Sequence, residues 1–429
     1  MSFSDYVTIT QGPKGTNLST SELTAPDLDA LGREDWIDVQ RVSKQRIEVT
    51  SKRHVGVIGL PSGKQLRIKP KISCDLLYLL AYAGRLSENV VQGYDTSVTT
   101  SGGFIDMMAR LFVTELRGIL QRGLHKSYQR TADEERYIRG QFDATRQIIR
   151  QGAVTTKFAC KYDELTHDVP INHAVYWACE QLESIVTNED LAAELQLLRN
   201  RLLSQISSNP PRLTGEEVRE IELTRLNEYY HRIKVLSALI LESAYFETVG
   251  KGPRQFDRFL IDIRSLFEHV LFRGFTEVID APEIRIDGDG APQNKRVDST
   301  MGSLLQEQSI DQEPLQQLQP DIFVSKPSRE NSHLLVADAK WKAPDQPSRN
   351  DLYQVSAYQS FAQAPGVLVY PDINGNLTGT YEYQGAEQTQ SIEQPLHIIE
   401  LKWKEATTYD GFCEYIERSI SNVLKKLDI

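Results

Sequence analysis

Alternation of apolar and polar residues dominates the chain between residues 35 and 72. Side chains of a β-strand point in turn to the two faces of a sheet, so this pattern predicts strands buried on one side. Four runs show it: WIDVQRV, RIEVTS, HVGVIGL and QLRIKPKI. The Pro61-Ser62-Gly63 sequence between the last two runs is typical of a hairpin turn. We therefore predict a small β-rich N-terminal domain over residues 1–75.

A different spacing follows, in which apolar residues recur every three or four positions as on one face of a helix. The segments with this spacing are DLLYLLAYAGRL, FIDMMARLFVTELRGILQRGLHKSY, NHAVYWACEQLESIV, LAAELQLLRNRLLSQI and LNEYYHRIKVLSALILESAYF. They predict a mainly helical middle region over residues 76–250. His173 and His231 lie in these helices, where isolated histidines are more often packed or surface residues than ligands. We expect this region to act as a spacer or a binding region.

Residues 251–429 predict strands mixed with helices. QFDRFLIDIRSLFEHVLFRGF predicts a helix, and the glutamine-rich segment LLQEQSIDQEPLQQLQ predicts a long loop or insertion. The order is then strand PDIFV, strand LLVADAKWK, helix DLYQVSAYQSFA, strand GVLVYP, strand LHIIELKW and helix YDGFCEYIERSISNVLKKL. This succession is typical of a mixed sheet flanked by helices. The predicted fold class is α+β multidomain, with a C-terminal mixed α/β domain.

Charged residues interrupt the two strands PDIFV and LLVADAKWK. Asp338 and Lys340 share one face of the second strand, Ala339 and Trp341 point to the other face, and Asp321 opens the first strand. Buried charges cost free energy unless they pair or bind a cation. Two carboxylates and the carbonyl of Ala339 offer oxygen ligands that suit Mg²⁺, and the lysine can orient or deprotonate an attacking water. Pro-Asp followed by Asp-x-Lys resembles the motif of the PD-(D/E)xK nuclease superfamily.

One further acid and one pair of polar residues allow two interpretations each. Glu268 lies among the apolar neighbours Phe267 and Leu271 in a predicted helix. It is either a solvated charge or the acidic helix residue that often precedes the sheet in nucleases of this superfamily. Gln354 and Tyr358, four residues apart, share one face of the helix after the lysine strand. They serve either helix packing or a polar role beside the site.

Charge is distributed unevenly along the chain. A net charge of −11 argues against a protein that coats nucleic acid through bulk electrostatics. A basic island nevertheless occupies residues 41–71, with Glu48 as its one acid, and contains Arg41, Lys44, Arg46, Lys52, Arg53, Lys64, Arg67, Lys69 and Lys71. It is either a set of solvated strand faces or a binding surface. The stretch GLPSGKQ within it lacks the spacing and the Ser or Thr of a P-loop, so nucleotide hydrolysis would belong to a partner.

The composition and the first residues of the sequence indicate a cytoplasmic protein. The chain is 40% hydrophobic and 25% charged, which is ordinary for a soluble globular protein. No apolar run approaches the roughly 18 residues of a membrane span, and the opening MSFSDYVTITQGPKG has no signal-peptide pattern. The cysteines show no CxxC spacing, which favours reduced core thiols over a zinc site or disulfides.

Several motifs in order resemble the McrC family, the nuclease subunits of McrBC-type modified-cytosine restriction systems. They are VGVIGL…LRIKPKI with LLYLLAYA, the helix FIDMMARLFVTELRGILQRGLHKSY leading to YIRGQFD, the segment KYDELTHDVPINHAVYWA, and PDI…LLVADAKWK…NDLYQVSAYQ. The resemblance implies that Asp321, Asp338 and Lys340 are catalytic and Glu268 is an added acid, these three acids binding metal, with Gln354 in support. It also implies an N-terminal domain that docks on, and stimulates, a hexameric ring of McrB-like AAA+ GTPases. The long approach to Asp321 departs from the family's compact form.

The sequence thus predicts a cytoplasmic, Mg²⁺-dependent endonuclease subunit that acts with its partner ring on double-stranded DNA carrying modified cytosine. A stand-alone repair or recombination nuclease is the alternative within the same class. A non-cutting adaptor that regulates an AAA+ ring is the alternative from another class. The sequence predicts neither the modified base nor the cut position, the stoichiometry of the complex or the partner's nucleotide preference.

Overall fold

The computed structural model describes residues 6–86, 88–91, 103–151, 156–243, 258–288, 303–305, 316–317, 319–326, 333–371, 377–383, 394–404 and 406–429. These residues form two compact units. The terminal unit contains Phe3–Phe104 and Leu260–Ile429, and the middle unit contains Ile105–Phe259. Several sheets and many helices occur together, which confirms the predicted α+β class.

The strands are β1 (Tyr6–Thr10), β2 (Thr16–Ser19), β3 (Ile37–Arg41), β4 (Arg46–Ser51), β5 (His54–Gly59), β6 (Gln65–Lys69), β7 (Ser127–Glu135), β8 (Gln141–Phe142), β9 (Phe158–Thr166), β10 (Arg258–Asp262), β11 (Arg285–Gly288), β12 (Ser303–Leu305), β13 (Gln316–Gln317), β14 (Ile322–Ser325), β15 (His333–Ala339), β16 (Gly366–Pro371), β17 (Gly379–Tyr381) and β18 (Leu396–Leu401). The helices are α1 (Ala25–Leu31), α2 (Leu76–Tyr82), α3 (Glu88–Val91), α4 (Gly103–Arg122), α5 (Ala144–Gln151), α6 (Pro170–Ile185), α7 (Glu189–Leu203), α8 (Gly215–Glu220), α9 (His231–Ser243), α10 (Ile263–Val278), α11 (Arg349–Ala362) and α12 (Tyr409–Leu424). Most of the glutamine-rich segment 304–319 lies outside the described residues. β12 overlaps its start, β13 lies within it, and the two strands pair with each other.

Two small sheets build the N-terminal part of the terminal unit. Their strand orders are β1-β6-β5-β10 and β2-β4-β3, and apolar side chains from both sheets form one core. The predicted hairpin joins β5 to β6: Leu60 N donates to Lys64 O at 2.8 Å, and Gly63 adopts the positive φ of 83° that glycine tolerates. Asp27 closes a capping box at the start of α1 and also accepts from Ser62 N at 2.9 Å, which ties the helix to this turn.

The middle unit contains helices and one sheet that the sequence pattern missed. β7 pairs with β9 over nine residues each, and β8 pairs with the other edge of β9. The mainly helical middle region over residues 76–250 stays a prediction, and no strand was predicted within it. β7 is largely exposed on both faces, so its sequence lacks the alternation of a half-buried strand. Nearby apolar side chains are also exposed, among them Tyr137, Ile138, Ile148 and Ile149. The helices α6, α7, α8 and α9 pack with one another.

A six-stranded sheet, β11-β14-β15-β16-β18-β17, forms the C-terminal part of the terminal unit. β15, β16 and β18 are parallel, whereas β14 and β17 run antiparallel to their neighbours. Helix α11 packs on the face that carries Val336, Leu368 and Tyr370. Trp341, on the other face, packs edge to face on Phe267 of α10, with ring centroids 5.4 Å apart. This arrangement contains every element of the predicted strand–helix succession.

Long-range pairing joins the two ends of the chain within the terminal unit. The predicted helix over residues 255–275 begins only at Ile263, because the residues before it form β10, an edge strand of the N-terminal sheet. Asp262 caps α10, and Ile263 N donates to Arg53 O at 3.0 Å. Helix α2 packs against α10 and α12, and Arg273 of α10 donates to carbonyls at the end of α2. The three-part division at residues 75 and 250 stays a prediction.

Candidate functional site

The two aspartates of the predicted motif meet at the end of the β14–β15 ladder. Ile322 lies opposite Ala337 in this antiparallel pair, so Asp321 and Asp338 are opposite each other one step further along. Oδ2 of Asp321 accepts a hydrogen bond from Ala339 N at 2.6 Å. Asp338 is only 1% exposed, whereas Asp321 is half-buried. The sequence therefore placed these carboxyls correctly on adjacent strands.

A chain of polar contacts extends from Asp338 to helix α11. Nζ of Lys340 forms an ion pair with Oδ2 of Asp338 and donates to Oε1 of Gln354 at 2.9 Å. Nε2 of Gln354 donates to the hydroxyl of Tyr358 at 2.8 Å, and that hydroxyl donates to Gln319 O at 3.0 Å. The predicted shared face of Gln354 and Tyr358 thus exists, and Gln354 fixes the position of the lysine ammonium.

Burial and mutual repulsion make these carboxyls hard to ionise. Burial, followed by the charges of Asp338 and Glu268, raises the pKa of Asp321 to about 8. Burial also raises the pKa of Asp338, although the neighbouring Lys340 opposes that shift. Glu268 is half-buried on α10, and its charge reaches Asp321. The structure therefore brings all five predicted residues to one region, with Glu268 acting on Asp321 through its charge.

The oxygen atoms of Asp321 and Asp338 suit a cation that needs few protein ligands. No donor among the described residues reaches Oδ1 of Asp338, which is a buried, unsatisfied acceptor. Within the same described ranges, no three His, Cys, Asp or Glu side chains form a ready metal cluster. Mg²⁺ is usually held by one or two carboxylates and keeps several waters, so the Asp321–Asp338 pair fits it. The role of Glu268 as a third ligand stays a prediction.

Sequence reasoning missed a second charged group beside this site. Asp351, at the third position of α11, closes a capping box with Ser348. It also accepts from Nζ of Lys342 and, at 3.0 Å, from the hydroxyl of Tyr370. The charge of Asp351 contributes to the raised pKa of Asp338. Lys342 could have indicated this group in the sequence, because it follows Lys340 by two residues, as Lys340 follows Asp338.

Glycine at position 288 lets a third strand approach the site. Gly288 of β11 pairs with Ile322, and a Cβ atom added to it would lie 2.2 Å from the backbone oxygen of Asp321. Any side chain here would push against the backbone that holds this aspartate. The close contact therefore fixes Asp321 from the side opposite to Asp338.

Two solved structures are similar to this chain, and the first of them shows the same fold. This chain aligns with a chain of the half-complex of Thermococcus gammatolerans McrB AAA+ hexamers with bound McrC at a TM-score of 0.62 and 18% identity, covering 97% of this chain and 100% of that chain. A second structure, the cryo-EM structure of the Thermococcus gammatolerans McrBC complex, gives a TM-score of 0.43 and 19% identity, covering 64% of this chain and 88% of that chain. No curated protein matches.

The family model for components of the McrBC 5-methylcytosine restriction system matches residues 49–371. This range extends from β4 to the end of β16 and contains Glu268, Asp321, Asp338, Lys340 and Gln354. Because the match covers most of the sequence, the chain belongs to the family of McrBC 5-methylcytosine restriction system components.

Proposed function

We propose that this chain is the Mg²⁺-dependent endonuclease subunit of a modification-dependent restriction complex in the cytoplasm. The contact between Lys340 and Asp338, with Asp321 opposite, carries the proposal. In this function the chain assembles with a hexameric McrB-like AAA+ GTPase and cuts double-stranded DNA that contains modified cytosine. Membership of the McrBC family and the fold shared with the McrB–McrC half-complex support the choice of partner.

Each side chain has a distinct task in hydrolysis. Asp321 and Asp338 would hold Mg²⁺, which when bound polarises the phosphodiester and lowers the pKa of a water ligand. The ammonium of Lys340 lies beside Asp338, where it stabilises negative charge that grows on the phosphate oxygens. Gln354 keeps this ammonium in place by accepting its hydrogen bond. The water oxygen bonds to phosphorus as one phosphorus–oxygen ester bond breaks, and the leaving oxygen takes up a proton.

The test is plasmid cleavage with the components separated. Methylated and unmethylated plasmids are incubated with this chain, with and without an McrB-like AAA+ protein, GTP and Mg²⁺. We expect cutting of methylated plasmid only when all components are present. With a net charge of −11, the chain alone should bind DNA weakly and cut it poorly. Efficient cutting by the chain alone would favour the stand-alone nuclease.

The adaptor alternative makes a different prediction. The buried acids and the lysine lie in contact, an arrangement that a non-cutting regulator does not need. If Asp338→Ala and the unchanged chain both fail to cut in every combination yet stimulate the GTPase equally, the adaptor function would replace the nuclease function.

We also propose that exposed arginines of the basic island act on the partner ring. An arginine can stabilise a transferring phosphoryl group in a neighbouring subunit, which is worth about 10³–10⁵ in kcat in other NTPases. Arg41 and Arg46 are exposed and available for this task. Arg53 is less available for this task, because its guanidinium pairs with Asp262 at 3.4 Å.

Point substitutions therefore test stimulation of the partner better than deletion of residues 1–72, which would remove the strands beside β10. We expect Arg41→Glu and Arg46→Glu to reduce GTPase stimulation, and Lys340→Ala to leave it unchanged. Normal stimulation by both arginine variants, together with lost assembly in an Ile148→Asp, Ile149→Asp variant, would place the partner contact on the middle unit instead.

A further inference from the structure

Helix α11 carries three polar side chains in one row that faces the candidate site. Asp351, Gln354 and Tyr358 are three and four residues apart, so they share one face of the helix. Each bonds to a segment that carries the site: Asp351 to Lys342, Gln354 to Lys340, and Tyr358 to Gln319 O. The row therefore follows the edge of the sheet at which β14 begins and β15 ends.

Asp351 uses both of its carboxylate oxygens in this row. Oδ1 accepts from Nζ of Lys342, and Oδ2 accepts from Ser348 N at 3.3 Å and from the Tyr370 hydroxyl at 3.0 Å. Burial at 4% exposure opposes ionisation, but the hydrogen bond and charge of Lys342 hold the pKa of Asp351 below its usual value. A carboxylate with both oxygens engaged suits a positioning role better than metal binding, in contrast to Asp338 with its unsatisfied Oδ1.

These contacts join the start of α11 to two neighbouring strands. Lys342 follows β15, Tyr370 lies in β16, and Ser348 is the residue that caps α11. Nζ of Lys342 also donates to Oγ of Ser348 at 3.3 Å. Lys342 N donates to Lys340 O at 2.7 Å, which holds the two lysines in one tight turn. Asp351 therefore links the helix to the backbone that carries Lys340.

Apolar packing alone does not set where α11 sits along the sheet. Val355 packs in one cluster with Leu368, and such contacts are non-directional. Ion pairs and hydrogen bonds in a satisfied buried network instead favour a single arrangement. Gln354 lies one helical turn after Asp351, and its Oε1 accepts from Nζ of Lys340 at 2.9 Å. A small shift at the start of the helix would thus break the contact that holds this ammonium.

We propose that Asp351 is a positioning residue of the active site. By anchoring α11 to the strand ends, it keeps Gln354 where that side chain holds the ammonium of Lys340. This inference rests on the proposed nuclease function and adds to it a residue that touches neither metal nor DNA. Helix capping alone is the competing explanation, and it predicts lower stability without a specific loss of kcat.

The test compares three variants of the full-length chain. Asp351→Asn keeps the size of the side chain, removes its charge and replaces one acceptor oxygen by a donor. Asp351→Glu keeps the carboxylate at a capping position that Glu commonly occupies. Asp27→Asn is the matched control, because Asp27 is also a buried acid that closes a capping box, at the start of α1.

Cleavage by the complete complex is the first measurement. Asp351→Asn should lower kcat about 10- to 100-fold and leave KM for DNA nearly unchanged, because the misplaced ammonium acts on the transition state. Asp351→Glu should recover most of kcat, and Asp27→Asn should match the parent. Tyr370→Phe removes one donor to Asp351 and should lower kcat by a smaller factor, so it serves if Asp351→Asn does not fold. Parental kcat in both Asp351→Asn and Tyr370→Phe would overturn the inference.

A double variant separates positioning of Lys340 from an independent role. In the Lys340→Met chain, Asp351→Asn should cause no further fall in kcat, because the ammonium that Asp351 positions is absent. A further fall by the same factor as in the parent would overturn the inference, since Asp351 would then act without Lys340.

Crystal structures of the metal-free parent and Asp351→Asn chains give a measurement that does not depend on cleavage. We expect the variant to have Nζ of Lys340 beyond hydrogen-bond distance of Oε1 of Gln354. A contact retained at the parental 2.9 Å would overturn the inference. If the parent cuts DNA in no combination of components and the contact is still lost in Asp351→Asn, the positioning role stands and the nuclease function fails.

Discussion

Replacement of Lys340 by methionine removes the ammonium and keeps the apolar stem, so it isolates the charge. In the structure this charge contacts Asp338, which is 1% exposed, through a lysine side chain that is only 16% exposed. Loss of one electrostatic stabiliser of a transition state typically costs about 10²–10³ in rate. We therefore expect Lys340→Met to lower plasmid cleavage by at least that factor in the presence of the partner, GTP and Mg²⁺.

Stability should respond to the same substitution in a pH-dependent way. Breaking a buried ion pair costs about 3–5 kcal/mol when the remaining partner stays charged. The pKa of Asp338 is already raised by burial, and loss of Lys340 raises it further, so at low pH this carboxyl takes up a proton instead. A folded-state pKa above the unfolded value means that stability falls as pH rises through the interval between them. The melting temperature of the variant should thus be close to that of the parent at pH about 5 and clearly lower at pH about 9.

The assays are plasmid cleavage and thermal unfolding of the metal-free chain at both pH values. Lys425→Met is the matched control, because Lys425 is an exposed lysine after α12. The control should match the parent in both assays. Near-parental cleavage by Lys340→Met would move the active site elsewhere, and a melting difference independent of pH would refute the electrostatic account of the pair.

Three further substitutions have defined outcomes. Asp321→Asn removes a carboxyl whose pKa is raised to about 8 by burial and by Asp338. The metal-free variant should therefore gain stability relative to the parent as pH rises from about 4 to 8. An equal loss of stability at all pH values in thermal unfolding would contradict this. Glu268→Gln removes a charge that raises the pKa of Asp321, so it should lower that pKa and reduce cleavage partly or fully; full activity across a pH series would mean that Glu268 is a solvated charge. Asn172→Ala removes the side chain that bonds His125 O, His167 O and the Tyr230 hydroxyl. The free energy of unfolding, measured in urea, should fall by about 3 kcal/mol. A fall of less than about 1 kcal/mol would refute the role of this contact.

Local patterns were sufficient to predict much of the C-terminal site. Strand alternation placed Asp338 and Lys340 on one face, and helical spacing placed Gln354 next to Tyr358, because both periodicities depend only on neighbouring residues. The β5–β6 hairpin was predictable for the same reason, since its Pro-Ser-Gly turn is local. The metal and the catalytic roles assigned to these residues stay predictions.

Long-range contacts were not predictable from the sequence. The segment RFLID resembles the start of a helix until it pairs in a sheet built from residues far earlier in the chain. β7 was missed for another reason: both of its faces are largely exposed, so its sequence carries no apolar alternation.

The position of β10 has a consequence for biosynthesis. During translation β5 emerges about 200 residues before the strand that completes its sheet. At about 5–20 residues per second, the ribosome needs roughly 10–40 s to supply it. Throughout that interval β5 is an unpaired strand edge, which is a template for pairing with other nascent chains. Chaperone occupancy and aggregation on polysomes should therefore concentrate on this first sheet, and slower translation of residues 105–257 should increase both.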